Sequence, residues 1–217
     1  MSAQRLALIA DVHANLAALD ATLAAISSAG IARGAVAGDL VTRGRRPEEV
    51  VRRVRALGWP VAQGNTDRKL AATRRSPDHP RAGQPGSRRW SRLRVTNGTV
   101  DYLAELPILA RVMVGPWRIL IAHEGPDGPG HPLGTHLDGD EVDALAARHE
   151  VDAIVVGHTH QPQIVRGATG LLINPGSVGE GTPSERRPSW GWLDSEDGRL
   201  IAGLERVPAE VADLRGQ

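Results

Sequence analysis

The sequence predicts an α/β (α+β) fold in which two packed β-sheets carry helices on their outer faces. Along residues 5–63, short apolar runs alternate with amphipathic helical patterns, which is typical of a parallel sheet with covering helices. In the second half, apolar runs follow one another with mainly glycine, proline and aspartate turns between them, which indicates antiparallel strands. We therefore expect a parallel sheet built first and an antiparallel sheet built later.

The first half contains three predicted strands and two predicted helices. The first helix places leucines and an isoleucine at helical spacing and ends at Gly30. The second begins at Pro47, carries two glutamates in its first turn, and ends at Gly58. The predicted strands are 5–10, 34–37 and 59–63, and the predicted helices are 16–29 and 47–57.

Residues 69–98 interrupt this alternation, and we call them the Arg-rich excursion. They are rich in arginine, proline, glycine and serine and show little periodicity, so we expect an irregular, mobile segment with some helical parts. Residues 68–94 hold nine arginines and lysines against one acid, Asp78, and the remainder of the chain holds 17 basic and 24 acidic residues. The segment is either a solvated loop or a cationic lid that attracts phosphate-bearing substrates.

The second half is richer in strands. A short helix at 99–107 ends at Pro107, and Gly115-Pro116 provides the turn of a hairpin. A further helix is predicted at 139–149. The predicted strands are 110–114, 117–123, 151–157, 163–167, 170–174, 189–194 and 199–207.

Composition limits the classes of protein and of site. The 217 residues are 41% hydrophobic, enough for one domain spanning 1–217, and the net charge of +1 argues against a wholly basic nucleic-acid binder. Cysteine is absent, which excludes disulfides and thiolate zinc sites. The first apolar run is too short for a signal peptide and no stretch is long enough to span a membrane, so we expect a cytoplasmic protein.

Polar side chains with ligand chemistry follow five of the predicted strands. In open α/β sheets the loops after the strands converge on one crevice, so these side chains should meet there. Carboxylates and neutral imidazoles suit divalent cations, and an amide oxygen is a weak neutral ligand. The residues are Asp11, His13, Asn15, Asp39, Asn65, His123, His158 and His160.

The motifs around these residues resemble those of the calcineurin-like metallophosphoesterases, especially the small single-domain bacterial and archaeal phosphoesterases. In chain order they read ADVHAN, GDLVTRG, GNTD, AH, GHTHQP and NPGSVG. The resemblance runs from about residue 5 to about residue 194 and fails over 69–98. It implies a four-layer αββα sandwich of two mixed β-sheets flanked by helices.

The resemblance also implies a dinuclear centre. Asp11, His13 and His160 would bind the first of two divalent metal ions. Asn65, His123 and His158 would bind the second ion, and Asp39 would bridge the two. The ions would be Mn, Ni, Fe, Zn, Co or Mg, with Mn favoured.

The same resemblance implies hydrolysis of phosphoesters. Water activated by the two cations would attack phosphorus in line with the leaving oxygen, and the Asn65 amide would help to neutralise the phosphoryl oxygens. Asn15, Asn65, Arg43 and Arg68 are the predicted substrate contacts, with plain solvation an equal alternative for Arg43.

Three positions depart from the usual pattern, and the mildest departure is Ala14, which stands where glycine is usual. Thr66 stands where many members have a histidine that protonates the leaving group, and loss of a general acid slows such reactions about 10²–10⁴-fold. The enzyme would then prefer leaving groups that need little protonation, or Asp67 or a lid residue would supply the proton. Glu124 follows His123 where glycine is common. Its carboxylate either supports the neighbouring ligands or faces solvent, and we favour solvent exposure.

The sequence thus predicts hydrolysis of phosphodiester or activated phosphomonoester bonds. The alternatives are a phosphomonoesterase or protein phosphatase, and an interaction scaffold that binds metal with little catalysis. We expect a small phosphoester or nucleotide as substrate. Nucleic acid is less favoured, because Trp90 is the only aromatic residue of the Arg-rich excursion on which a base could stack. A homo-oligomer is possible from the sequence.

Overall fold

Nine strands and six α-helices lie in residues 5–75, 84–182 and 185–208, which are the residues described in this computed structural model. The strands are β1 (Leu6–Ile9), β2 (Gly34–Val36), β3 (Leu109–Val114), β4 (Trp117–Ala122), β5 (Ala153–Val155), β6 (Gln163–Arg166), β7 (Leu171–Asn174), β8 (Ser189–Glu196) and β9 (Arg199–Arg206). The helices are α1 (Leu16–Ser28), α2 (Pro47–Leu57), α3 (Asn65–Ala71), α4 (Arg88–Arg92), α5 (Asn97–Glu105) and α6 (Gly139–Arg148), and a 3₁₀ helix spans Ala72–Arg75. None of these helices has the length and apolar character that a membrane crossing requires.

The strands form two mixed sheets, with orders β2-β1-β8-β9 and β3-β4-β5-β7-β6. The expected division into an early parallel sheet and a later antiparallel one is wrong. Strand β8, from near the end of the chain, pairs antiparallel with β1, so that Ala7 lies opposite Trp192. In the second sheet β5 runs parallel to both β4 and β7. Buried residues on both faces of β8 fit its central position, which strand spacing along the sequence does not reveal.

Alternating side chains of the strands give the fold its layers. Leu8 of β1 and Ile121 of β4 belong to the cluster between the two sheets. Ile9, on the opposite face of β1, packs in the cluster that includes residues of α1, α2 and α5. On the far side, Leu120 of β4 packs in a cluster with Val142 of α6. The order of layers is helix, sheet, sheet, helix, which confirms the four-layer αββα sandwich.

The described part of the Arg-rich excursion is largely helical. It contains the end of α3, the 3₁₀ helix, α4 and the start of α5, while residues 76–83 lie outside the described residues. Trp90 of α4 is buried, and the Arg94 guanidinium lies 3.9 Å from the centre of its ring. The Arg43 N–H donates to the Gly86 carbonyl, which places this segment against the loop that follows Asp39.

The third predicted strand, 59–63, is reduced to a single bridge between Val61 and Val36. Pro60 has no N–H to donate to a ladder, although its carbonyl accepts from Val36. The chain then turns at Gly64 directly into α3, a helix that the sequence analysis did not anticipate at Asn65.

Candidate metal centre

The predicted ligands meet at one edge of the two sheets. Asp11 and His13 follow β1, Asp39 follows β2, and His123 follows β4. These four side chains are buried in the described structure. The remaining three ligands also lie at this edge: His158 and His160 follow β5, and Asn65 is the first residue of α3.

The first predicted group of ligands is tightly assembled. His160 Nε2 lies 3.1 Å from Asp11 Oδ1 and 3.1 Å from His13 Nε2. The distance between His13 Nε2 and Asp11 Oδ1 is 3.6 Å. Two imidazole nitrogens and a carboxylate oxygen thus face one small volume, as a divalent cation requires.

The second group adjoins the first through Asp39. His123 Nε2 lies 3.2 Å from Asn65 Oδ1 and 3.4 Å from Asp39 Oδ1. The other Asp39 oxygen, Oδ2, lies 3.8 Å from His13 Nε2 in the first group. Asp39 therefore directs one oxygen toward each group, the position expected of a bridging carboxylate.

His158 and Asp11 complete the contacts between the groups. The His158 ring lies edge-on to the His123 ring, with centroids 5.3 Å apart, and its backbone N–H donates to Asp11 Oδ2 at 3.0 Å. Ligand atoms of Asp11, Asp39 and His123 also lie within 4.8 Å of one another. The structure thus brings all seven predicted ligands together, with Asp11 closer to the second group than the sequence indicated.

Three of the imidazoles are oriented by an oxygen behind them. His123 Nδ1 donates to the Ala37 carbonyl at 2.7 Å. His13 Nδ1 lies 3.5 Å from the Val41 carbonyl, and His160 Nδ1 lies 3.7 Å from Glu180 Oε2. In each case Nε2 is left to face the centre, which is the arrangement that metal-binding histidines adopt in proteins.

Five of the seven predicted ligands have left-handed backbone conformations, which side-chain-bearing residues rarely adopt. Such residues cost on the order of 1–3 kcal/mol each and persist where their surroundings impose them. Here hydrogen bonds between loops impose them; for example, the His13 N–H donates to the Asp39 carbonyl. Strain concentrated on these positions supports a functional site. The residues, with φ, are Asp11 (54°), His13 (49°), Asp39 (56°), His158 (70°) and His160 (59°).

Two glycines allow the carboxylates their positions. A Cβ atom on Gly64 would lie 2.2 Å from Asp39 Oδ1, and one on Gly157 would lie 2.8 Å from Asp11 Oδ2. Side chains at these two positions would displace the acidic groups, so the glycines in GNTD and GHTH are required by close approach.

Asp67 lies beneath the site and away from solvent. Its carboxylate is wholly buried and accepts the N–H groups of Gly64 at 3.1 Å, Leu40 at 2.9 Å and Val41 at 3.3 Å. Burial and the charge of Asp39 raise the pKa of Asp67 to about 7, against the lowering effect of these hydrogen bonds. This geometry does not support the predicted proton transfer from Asp67 to a leaving group, because no substrate atom can reach the carboxylate.

Asn15 and Thr66 are also occupied by structural contacts. Asn15 caps α1 by accepting the Ala18 N–H, and its amide donates to the Gly179 carbonyl, so the predicted substrate contact is not supported. The Thr66 N–H donates to Asp39 Oδ1 at 2.8 Å, and its hydroxyl donates to the Val41 carbonyl. Thr66 therefore fixes the Asp39 carboxylate.

Two glutamates beside the ligands hold the two predicted substrate arginines. Glu180 Oε2 accepts from Arg43 Nη1 at 2.6 Å, and Glu124 Oε2 accepts from Arg68 Nη2 at 2.8 Å. The Glu124 side chain is only 12% exposed, so the expectation that it faces solvent is wrong. Burial acts to raise the pKa of Glu124, but the hydrogen bond from Arg68 and that from the Gly130 N–H bring it below its ordinary value. Sequence reasoning missed both pairs.

The electrostatics of the cluster fit divalent cations. Asp11 Oδ1 is buried without a hydrogen bond, although His160 approaches it, so this oxygen has an unused ligand position. Burial lowers the pKa of His13 and of His158, which keeps both imidazoles in the neutral form that binds metals. Burial acts to raise the pKa of Asp11, but the close approach of His160 and the positive charge of His123 lower it overall.

Comparisons with known proteins agree with this geometry. Residues 5–198 match the calcineurin-like phosphoesterase superfamily domain. An uncharacterized protein of Methanocaldococcus jannaschii is 28% identical over 210 residues, which cover 90% of this chain and 84% of that protein. A metallophosphoesterase from Sphaerobacter thermophilus superposes with a TM-score of 0.75 at 27% identity, covering 97% of this chain and 90% of the other. A hypothetical protein from Pyrococcus horikoshii superposes with a TM-score of 0.82 at 18% identity, covering 98% and 91% respectively, and shares the fold.

Proposed function

The chain belongs to the calcineurin-like phosphoesterase superfamily, and from that premise we propose that it is a dinuclear metal-dependent phosphoesterase that prefers phosphodiesters. The observation that carries the proposal is the position of Asp39. Its two carboxylate oxygens face His123 and His13, which belong to the two separate ligand groups. A carboxylate placed between two separate ligand groups suits two cations better than one.

The ligand groups would hold the ions as the resemblance implies, with Asp11, His13 and His160 on one side and Asn65, His123 and His158 on the other. Divalent ions in such a site supply Lewis acidity and lower the pKa of a bound water. The protein fixes the donor positions, because hydrogen bonds hold Asp39 through Thr66 and His123 through Ala37. We propose Mn²⁺ as the preferred ion, since the site mixes carboxylate, amide and imidazole donors.

The residues near the site support a preference for good leaving groups. The Thr66 hydroxyl donates to the Val41 carbonyl and cannot act as an acid near neutral pH. The Asp67 carboxylate is buried below the predicted ligands. A leaving oxygen would therefore depart without a proton from either residue. Aryl and phosphoryl-type leaving groups tolerate this, and alkyl monoesters do not. We propose a small phosphoester or nucleotide as the natural substrate.

The proposal is tested with two substrates that share one leaving group. Bis-p-nitrophenyl phosphate and p-nitrophenyl phosphate are compared with Mn²⁺, Ni²⁺ or Mg²⁺, before and after EDTA treatment. We expect metal-dependent turnover with the diester favoured, and a loss of several orders of magnitude in Asp39→Ala with the fold retained.

Absence of metal-dependent turnover of either compound would overturn the proposal. A merely twofold loss in the Asp39→Ala variant would remove the bridging role. Faster turnover of phosphopeptides than of diesters would instead select a phosphomonoesterase.

A further inference from the structure

We propose that Glu124 and Glu180 determine the charge of the phosphoryl group that the site accepts. Each holds an arginine at the side of the ligand cluster and cancels its charge, so the site selects a phosphoester with one negative charge over one with two. The inference rests on the proposed phosphoesterase function and names the feature of its substrate that the surroundings of the site discriminate.

The two pairs adjoin different ligand groups of the cluster. Glu124 directly follows His123, and its partner Arg68 lies one turn along α3 from Asn65. Glu180 Oε2 lies 3.7 Å from His160 Nδ1, and its partner Arg43 lies in the loop that follows Asp39. One pair therefore adjoins the second ligand group, and the other adjoins the first.

The glutamates are better enclosed than the arginines they hold. The exposed fractions of the Glu124 and Glu180 side chains are 12% and 22%, against 33% for Arg68 and 51% for Arg43. The carboxylates thus lie on the inner side of each pair, and the guanidinium groups are drawn toward them. A phosphoryl group entering the site meets two neutral pairs and no free arginine from these four residues.

This arrangement matters because mono- and diesters differ in charge. Above the second phosphate pKa of about 6 a monoester carries two negative charges, whereas a diester carries one. Removing one carboxylate makes the local charge more positive by one unit, and the Coulomb gain for a monoester is twice that for a diester. A unit charge at about 10 Å then shifts the monoester-to-diester ratio about twofold to about seventeenfold, for effective dielectric constants between about 80 and about 20.

The test uses variants that change charge while keeping shape. Glu124→Gln and Glu180→Gln retain an amide oxygen to accept from the arginine, and we expect each to shift kcat/KM toward p-nitrophenyl phosphate by the factor above. The double variant Glu124→Gln with Arg68→Gln restores a neutral pair and should return the ratio to the wild-type value. The matched control is Asp152→Asn, which removes a carboxylate paired with Arg118 at the opposite ends of the strands.

The ratio of kcat/KM for p-nitrophenyl phosphate to kcat/KM for bis-p-nitrophenyl phosphate tests the charge selection. An unchanged ratio in both single variants would overturn the inference, and so would a double variant that fails to reverse the shift. An equal shift in Asp152→Asn would show a general effect of net charge and would likewise overturn it.

A binding measurement separates this inference from the proposed function. Calorimetry with inorganic phosphate and with dimethyl phosphate reports the same charge preference without turnover. If no variant hydrolyses either ester, the proposed function fails, yet tighter binding of inorganic phosphate by both glutamine variants would still support charge selection. If turnover is normal and neither the kinetic nor the binding ratio moves, only the charge selection fails.

Discussion

Replacing Asp67 separates a positioning role from a catalytic one. In Asp67→Ala, the N–H groups of Gly64 and Leu40 lose their partner in a wholly buried position. Each unsatisfied buried donor costs about 1–3 kcal/mol, so the loss should be about 2–6 kcal/mol. That is a large part of a typical domain stability of about 5–15 kcal/mol. The longer bond from Val41 is left out of this sum.

Asp67→Asn provides the graded comparison. Its amide oxygen can still accept from Leu40, but its NH₂ group would face the Gly64 N–H, so one donor is lost and the cost should be about 1–3 kcal/mol. Asp143→Ala is the control, because the Asp143 carboxylate also accepts several N–H groups, those of Ala168, Thr169 and Gly170, but lies near the surface. Water can replace its partners there, so the control should lose less than Asp67→Ala.

The assay is urea unfolding of metal-free protein, followed by circular dichroism, together with turnover of the diester under Mn²⁺. An Asp67→Ala variant within about 0.5 kcal/mol of wild type would refute the structural reasoning. If Asp67→Asn keeps its stability and metal affinity but loses its activity, the predicted catalytic role of Asp67 is restored.

Three further predictions concern the same cluster. The folded-state pKa of Asp67 is raised to about 7, whereas its unfolded value is about 3.9, so the stability of metal-free protein should fall as pH rises between those two values. The Asp67→Asn variant should lack this pH dependence. If its Tm depends on pH as that of the wild type does, the raised pKa does not belong to Asp67. Gly157→Ala places a Cβ 2.8 Å from Asp11 Oδ2, so calorimetry should show Mn²⁺ affinity weakened at least about tenfold. The control Gly134→Ala, whose Cβ would lie in open space, should bind Mn²⁺ as the wild type does. Equal affinities of the two variants would refute the close-approach argument. Mn²⁺ at one hundred times its Kd should add about 2.7 kcal/mol to the free energy of unfolding, and Asp39→Ala should lose most of that gain; full retention would exclude Asp39 as a ligand.

The clustering of the predicted ligands could be foreseen because their positions follow from strand ends. Asp11, His123 and His158 each come directly after an apolar run, and such runs end at a common edge of an α/β fold. The role of Asp67 was also readable, since an acid at the third position of a helix often accepts the N–H of the residue before that helix, as Asp67 does from Gly64. The sequence analysis placed Asn65 at a strand end instead.

Other features depended on contacts between distant segments. The partners in the pair Arg43 and Glu180 are 137 positions apart, and nothing in either local pattern indicates the other. The placement of β8 between β1 and β9 was hidden in the same way, because local periodicity predicts a strand but not its neighbour. Burial of Asn15 and Asp67 likewise follows from packing, so the substrate contact expected of Asn15 and the proton transfer expected of Asp67 could not be tested on sequence alone.

The pairing of β1 with β8 has a consequence for how the protein is made. Leu6 lies opposite Leu193, so the strand that leads to Asp11 gains this neighbour only when most of the chain has left the ribosome. Contacts of such long sequence separation slow folding and leave strand edges open to wrong partners meanwhile. His160, a predicted ligand of the first group, also emerges late. The candidate metal centre is therefore completed after synthesis of the fold's early half, and folding intermediates that lack β8 lack the antiparallel neighbour of the strand that leads to Asp11.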